Sequence, residues 1–163
     1  MVSLSFAMTA LYVAIMRRHK QTWVDGVLIL MACAESTLAR ALTGISADFN
    51  TQVFWLKMVF IGFAIAPPSF FCLALRYAGL GHWISRRTQF YLSVFPAFIA
   101  GLIFTNEYHG WIWNPADTAL VVGTLGFSSI DSQRIGYWLF VAYSYVVVLL
   151  GCFFLARSLI RSR

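Results

Sequence analysis

Residues 135–163 read IGYWLFVAYSYVVVLLGCFFLARSLIRSR, an apolar run from Ile135 that meets its first charge at Arg157 and ends among Arg161 and Arg163. A run of about 20 apolar residues is long enough to cross the hydrocarbon core of a bilayer as a helix. An open strand is excluded there, because lipid offers no partner for its backbone N–H and C=O groups. The stretch therefore sets the solvent of the chain, and the rest of the sequence can be read against it.

Four further apolar segments precede it, at about residues 2–16, 22–42, 53–77 and 89–104. The first begins without a basic region and shows no cleavage signal, so it reads as a retained helix and not a signal peptide. It is short for a full span. Basic residues cluster after every second segment: Arg17, Arg18 and Lys20, then Arg76, Arg86 and Arg87, then Arg157, Arg161 and Arg163. The opposite side holds Arg40, Lys57 and Arg134 with Asp48, Glu107, Asp117 and Asp131. The positive-inside rule then puts the N-terminus outside and the C-terminus in the cytoplasm, which requires an odd number of spans. The expected fold is all-α: a polytopic transmembrane bundle of about five spans forming one domain over residues 1–163.

Composition agrees. The 163 residues are 60% hydrophobic and 11% charged, against about 25% charged in a soluble domain. The net charge of +6 lies beside apolar segments, so anionic lipid headgroups fit as partners and nucleic acid does not. Cys33, Cys72 and Cys152 each fall inside an apolar segment, an odd set that builds no disulfide framework and reads as small hydrophobes. No Cys/His cluster with metal-ligand spacing occurs, and no metal site is expected.

Residues 43–52 form a short polar connection, whereas 105–134 is the one long loop, with Gly110, Pro115, Gly123, Gly126 and the apolar run Ala119–Val122. Long ordered loops are often functional or packed down as lids. Residues 120–126 read as a short strand or an interfacial segment.

Glu35 lies about 10 Å deep in the second span at 1.5 Å per residue, where a carboxyl is costly and usually faces the bundle interior. Lys57 enters the third span from the same side, and Tyr143 in the last span lies at similar depth. Two arrangements fit these residues. In one, Glu35, Lys57 and Tyr143 form a polar, ligand-binding cluster in the outer half of the bundle. In the other, a neutral Glu35 bonds to backbone and Lys57 snorkels to the surface. Pro67-Pro68, mid-span, removes two backbone donors and marks either a hinge or a packing kink; Pro96 is a weaker instance. The outer stretch Thr105-Asn106-Glu107-Tyr108-His109-Gly110-Trp111-Ile112-Trp113 supplies aromatic-belt residues, and its Asn106 and His109 either cap the helix end or bind a polar group. His19 and His82 fall in cytoplasmic loops, so no histidine pair faces across the membrane as bis-histidine haem ligation requires. The sequence carries no catalytic triad spacing, phosphate loop or HExxH, so no enzyme activity is expected, and the cofactor is left unassigned.

Three blocks together resemble a known family. They are Phe54-Trp55-Leu56-Lys57-Met58-Val59-Phe60-Ile61-Gly62 running on to Pro67-Pro68 and Leu75-Arg76-Tyr77; Thr105-Asn106-Glu107-Tyr108-His109 with Trp113 beyond; and Gly136-Tyr137-Trp138 followed by Ala142-Tyr143-Ser144-Tyr145. Their order and spacing are similar to the N-terminal seven-helix sensor region of bacterial histidine kinases, which also heads some diguanylate cyclases. The resemblance covers residues 10–160 and implies a multi-pass membrane sensor of the bacterial cytoplasmic (inner) membrane with an extracellular N-terminus. It does not supply a ligand. Matching positions are Trp55, Gly62, Pro67, Tyr77, Thr105, Asn106, His109 and Tyr143. The family adds two helices and a cytoplasmic signalling domain, whereas this chain stops at Arg163. The expectation is therefore a non-catalytic signal-input region without a kinase output. The alternative is an accessory subunit of a larger membrane complex, with a protein partner packed where two further helices would lie, contacting pigment, quinone or lipid.

Overall fold

The computed structural model describes Ser5, Thr9 and residues 22–123 and 133–161. Apart from Ser5 and Thr9, the span expected at 2–16 lies outside the described residues. Among those described, four helices are long and apolar enough to cross a membrane: α1 (Thr22–Ile45), α2 (Phe49–Tyr77), α3 (Arg86–Phe104) and α6 (Ile135–Arg161). The short α4 (Asn106–His109) and α5 (Thr118–Gly123) lie between α3 and α6. No strand is described; one isolated antiparallel bridge joins Trp113 to Gln133.

Two helices, α2 and α3, begin earlier than hydropathy suggests, because polar side chains cap them. Asp48 Oδ2 accepts the Thr51 N–H at 2.9 Å and so starts α2 at Phe49. Ser85 Oγ accepts the Thr88 N–H at 3.2 Å and starts α3 at Arg86. Each cap satisfies a backbone donor that the first helical turn otherwise leaves unpaired. The other end of α2 closes by paired bonds, Leu80 N to Leu75 O at 2.9 Å and Gly79 N to Arg76 O at 3.2 Å, the Schellman pattern.

The central helix is α2, which packs against α1, α3 and α6. Its most apolar window is 56% buried, against 17% for α3 and for α6. The tightest seam joins α1 to α2. Ala32, Ser36, Ala39 and Thr43 recur on one face of α1 and are all buried; small residues at this spacing let two backbones approach closely. Gly62 is the point of contact. A Cβ there would overlap Ser36 Oγ and stand 2.5 Å from both Ala32 O and Glu35 Oε2. Pro67 and Pro68 are buried within α2, which runs unbroken through them. The outward faces of α3 and α6 carry large exposed apolar residues, among them Phe98, Leu149 and Phe153, as lipid contact requires.

The long connection after α3 is packed. Ile112, Trp113, Val121 and Val122 are buried with Leu56, Phe60, Ile103 and Phe140 in one apolar core, and Trp113 stacks on Phe60 with ring centroids 6.0 Å apart. Of residues 120–126, read as a short strand or an interfacial segment, 120–123 lie in the short helix α5 and 124–126 lie outside the described residues.

Candidate functional site

The bundle has two polar ends. One is built around Lys57 and the long connection. Asn106 is completely buried. Its Oδ1 accepts from Ile112 N at 2.8 Å, with Trp113 N 3.4 Å away, and its Nδ2 donates to Trp113 O at 2.9 Å. One side chain thus satisfies the backbone that folds back over the helix end, as buried amides require. His109 holds the same turn. Its Nδ1 accepts the Trp111 N–H at 3.0 Å, which leaves Nε2 to donate to Thr105 Oγ1 at 3.0 Å. Thr105 in turn donates to Gly101 O at 2.9 Å. Gly110 completes the turn at φ +60°, a left-handed conformation that glycine adopts without strain. The segment reaches the last span through the backbone, with Arg134 N on Ile112 O at 2.9 Å and Gly136 N on Trp111 O at 3.0 Å.

Lys57 is buried although its partner is not. Its Nζ lies 2.7 Å from Glu107 Oε1, and the two side chains are 9% and 60% exposed. The same ammonium sits 3.4 Å from Phe104 O, a cation at the carbonyl end of α3 where the helix dipole favours it. The outer cluster considered for Glu35, Lys57 and Tyr143 is therefore not assembled in this structure. Lys57 turns to Glu107 because that carboxylate closes over it from α4. Glu35 faces the α1–α2 seam, and its buried oxygens have no hydrogen-bond partner among the described residues. Tyr143 goes elsewhere again: its hydroxyl donates to Leu92 O at 2.8 Å, and its ring lies 4.5 Å from that of Phe95. Leu92 is four residues before Pro96, so its carbonyl is the one deprived of a helical N–H by that proline. Tyr143 supplies the missing donor from α6.

The other end was not anticipated from the sequence. Asp25, in the first turn of α1, is 4% exposed and accepts from Arg76 Nε at 2.6 Å, tying α1 to the last turn of α2. The signal was the same as for Glu35, an acid inside an apolar run; its partner was hidden because Arg76 is 51 residues away and reads as a flanking charge. Beside this pair a groove of about 670 Å³ opens between α1, α2 and α3. Leu28, Ile61, Ile65, Leu92, Ala97 and Ala100 form its apolar wall. Gln89 and Ser93 of α3 face it as well. Among the described residues no group of three or more His, Cys, Asp or Glu is placed to hold a metal.

Four membrane-length helices among the described residues, three of them packed on a central one, with polar groups gathered at the two ends, define a multi-pass helical membrane protein. Across residues 1–163 the sequence matches the family described as the N-terminal 7TM region of histidine kinase, and the chain belongs to that family. It is thus a membrane sensor region of histidine-kinase type. No curated protein and no solved structure matches the chain.

Proposed function

We propose that this chain is the non-catalytic signal-input region of a bacterial sensor. It spans the cytoplasmic membrane five times, with its N-terminus outside and its basic C-terminal end in the cytoplasm. The observation that carries this is the loop following α3. In a chain of the histidine-kinase sensor family, this loop is bonded to the first turn of α6 through Trp111 and Ile112. A stimulus that shifts the loop moves the top of the helix that runs to Arg161. Lys57, Asn106 and His109 frame the outer site, Glu35 lies in the seam below it, and Tyr143 couples α6 to α3. Pro67 and Pro68 give α2 a place to bend, since two carbonyls there lack their helical N–H donors. The accessory-subunit alternative rests on exposed apolar faces that a bilayer covers equally well.

Two measurements test the reading. A single cysteine at Asn114, in a background with the native cysteines removed, is expected to react with an impermeant maleimide in intact cells, whereas one at Gly81 reacts only after lysis. Thermal unfolding of the purified chain in nanodiscs, scanned against small polar metabolites, is expected to rise with at least one of them, because a ligand bound to the native state stabilises it. Reversed labelling removes the orientation. An unmoved midpoint together with stoichiometric co-purifying proteins replaces the sensor by the subunit.

A further inference from the structure

The groove beside the Asp25–Arg76 pair has a length, a lining and a charge that select an occupant. From Gln89 to Ala100 it follows α3 for about 16 Å at 1.5 Å per residue, close to half of the roughly 30 Å hydrocarbon core. Its wall is mainly apolar over that length, with Gln89 and Ser93 on its α3 side, and Leu28, which lines it, is 44% exposed. It therefore fills from the bilayer.

Charge is concentrated at one end. Asp25 offsets Arg76, and Asp25 is the one acid described at that end. Arg86 and Arg87 remain in excess there. Arg86, Gln89, Ser93 and Ala100 are spaced to lie on one face of α3, so Arg86 stands one turn beyond Gln89 at the groove's mouth. Arg86 is exposed.

We propose that this groove is a binding site for an anionic phospholipid of the leaflet on the arginine-rich side. One acyl chain lies along Leu28, Ile61, Ile65, Leu92 and Ala97, and the phosphate rests at Arg86 and Gln89. Basic pockets between membrane helices take anionic headgroups by the same electrostatics. The proposal is independent of the sensor reading, since a subunit of another assembly would carry the same groove.

The test is lipid retention by the purified chain, measured by native mass spectrometry after equilibration with phosphatidylglycerol or phosphatidylcholine of identical chains. Phosphatidylglycerol is expected to be retained preferentially, and Arg86→Gln to lower that preference about fivefold, the worth of one arginine near an anionic surface. Ala97→Trp fills the exposed side of the groove and is expected to abolish retention of both lipids without moving the thermal unfolding midpoint measured in lipid-free detergent. Equal retention of the two lipids by the wild type, or unchanged retention in Ala97→Trp, overturns the proposal. Arg76 is left intact throughout, because its pairing with Asp25 supports the fold.

Discussion

Among the described residues an ion pair sits at each end of the bundle, and the two ends differ in what surrounds it. At the Lys57 end the long connection folds down over the helices. Asn106, His109 and Thr105 use their hydrogen-bonding atoms on nearby backbone or on each other, and the acid of the pair is largely in solvent. At the Arg76 end the connection between α2 and α3 is short, the acid of the pair is buried and its arginine partly buried, and a groove stays open beside them. The contrast teaches that polar residues in a membrane bundle serve two ends differently. Where a loop is long enough to return, they are consumed in fastening it. Where it is short, a buried pair joins two helices and leaves room next to it for something else.

The comparison breaks first at Asp25. Asp25→Asn leaves Arg76 without its counter-charge inside the helix pair, and we expect a loss of about 3 kcal/mol, the usual cost of stripping one partner from a buried pair. Replacing both, Asp25→Leu with Arg76→Met, is expected to recover most of it in chemical unfolding from detergent micelles. A double variant as unstable as the single would show that the pair does more than cancel charge. At the opposite end Asn106→Ala removes the clamp on Ile112 and Trp113. A destabilisation of about 2 kcal/mol is expected from the backbone groups left unpaired, with faster hydrogen exchange at those two amides. Unchanged exchange there would remove Asn106 from its role as fastener.

Between the ends, Tyr143→Phe tests the repair of the Pro96 gap. It is expected to cost about 1 kcal/mol, and adding Pro96→Ala, which restores a backbone donor to Leu92 O, should make the tyrosine substitution nearly neutral. Equal costs in the two backgrounds would separate the tyrosine from the proline. Glu107→Gln is the counterpart of Asp25→Asn: Lys57 is buried, but the carboxylate is mostly solvated and Gln keeps an acceptor beside the ammonium, so a smaller loss of about 1 kcal/mol is expected. The smallest effect is the pH response of the α2 cap. The Thr51 N–H and hydroxyl hold the Asp48 carboxyl below the usual carboxylate range. A depressed folded value means that the cap's contribution is present above the unfolded value of about 3.9 and is lost as pH falls through the folded one. Asp48→Asn should therefore be slightly less stable than the wild type at neutral pH and lose that difference below about pH 4, which gives it the flatter acid-stability profile.

Much of this was legible in the chain itself. The span beginning at Ile135 and those ending at Tyr77 and Phe104 follow from apolar length, because lipid forces such runs into helices. The starting points of α2 and α3 were less legible, because Asp48 and Ser85 act through short-range geometry that hydropathy averages away. The family could be read from blocks whose spacing is carried along the sequence, and the match over residues 1–163 agrees. The same blocks could not say what their residues do. Asn106 and His109 stood out equally as caps and as ligand groups, and the structure shows their atoms bonded within the turn.

Sequence alone thus determined the solvent of this protein, its helices and its kinship, since each depends on the order and apolarity of neighbouring residues. Only the tertiary structure decided the pairings. Lys57 meets Glu107, Asp25 meets Arg76, and Tyr143 meets the carbonyl that Pro96 left open, across separations of about 50 residues. Which charged or hydroxyl group reaches which partner depends on how helices are rotated and set in depth against one another. That is fixed by close packing at contacts such as Gly62 on Ser36, which no linear pattern specifies.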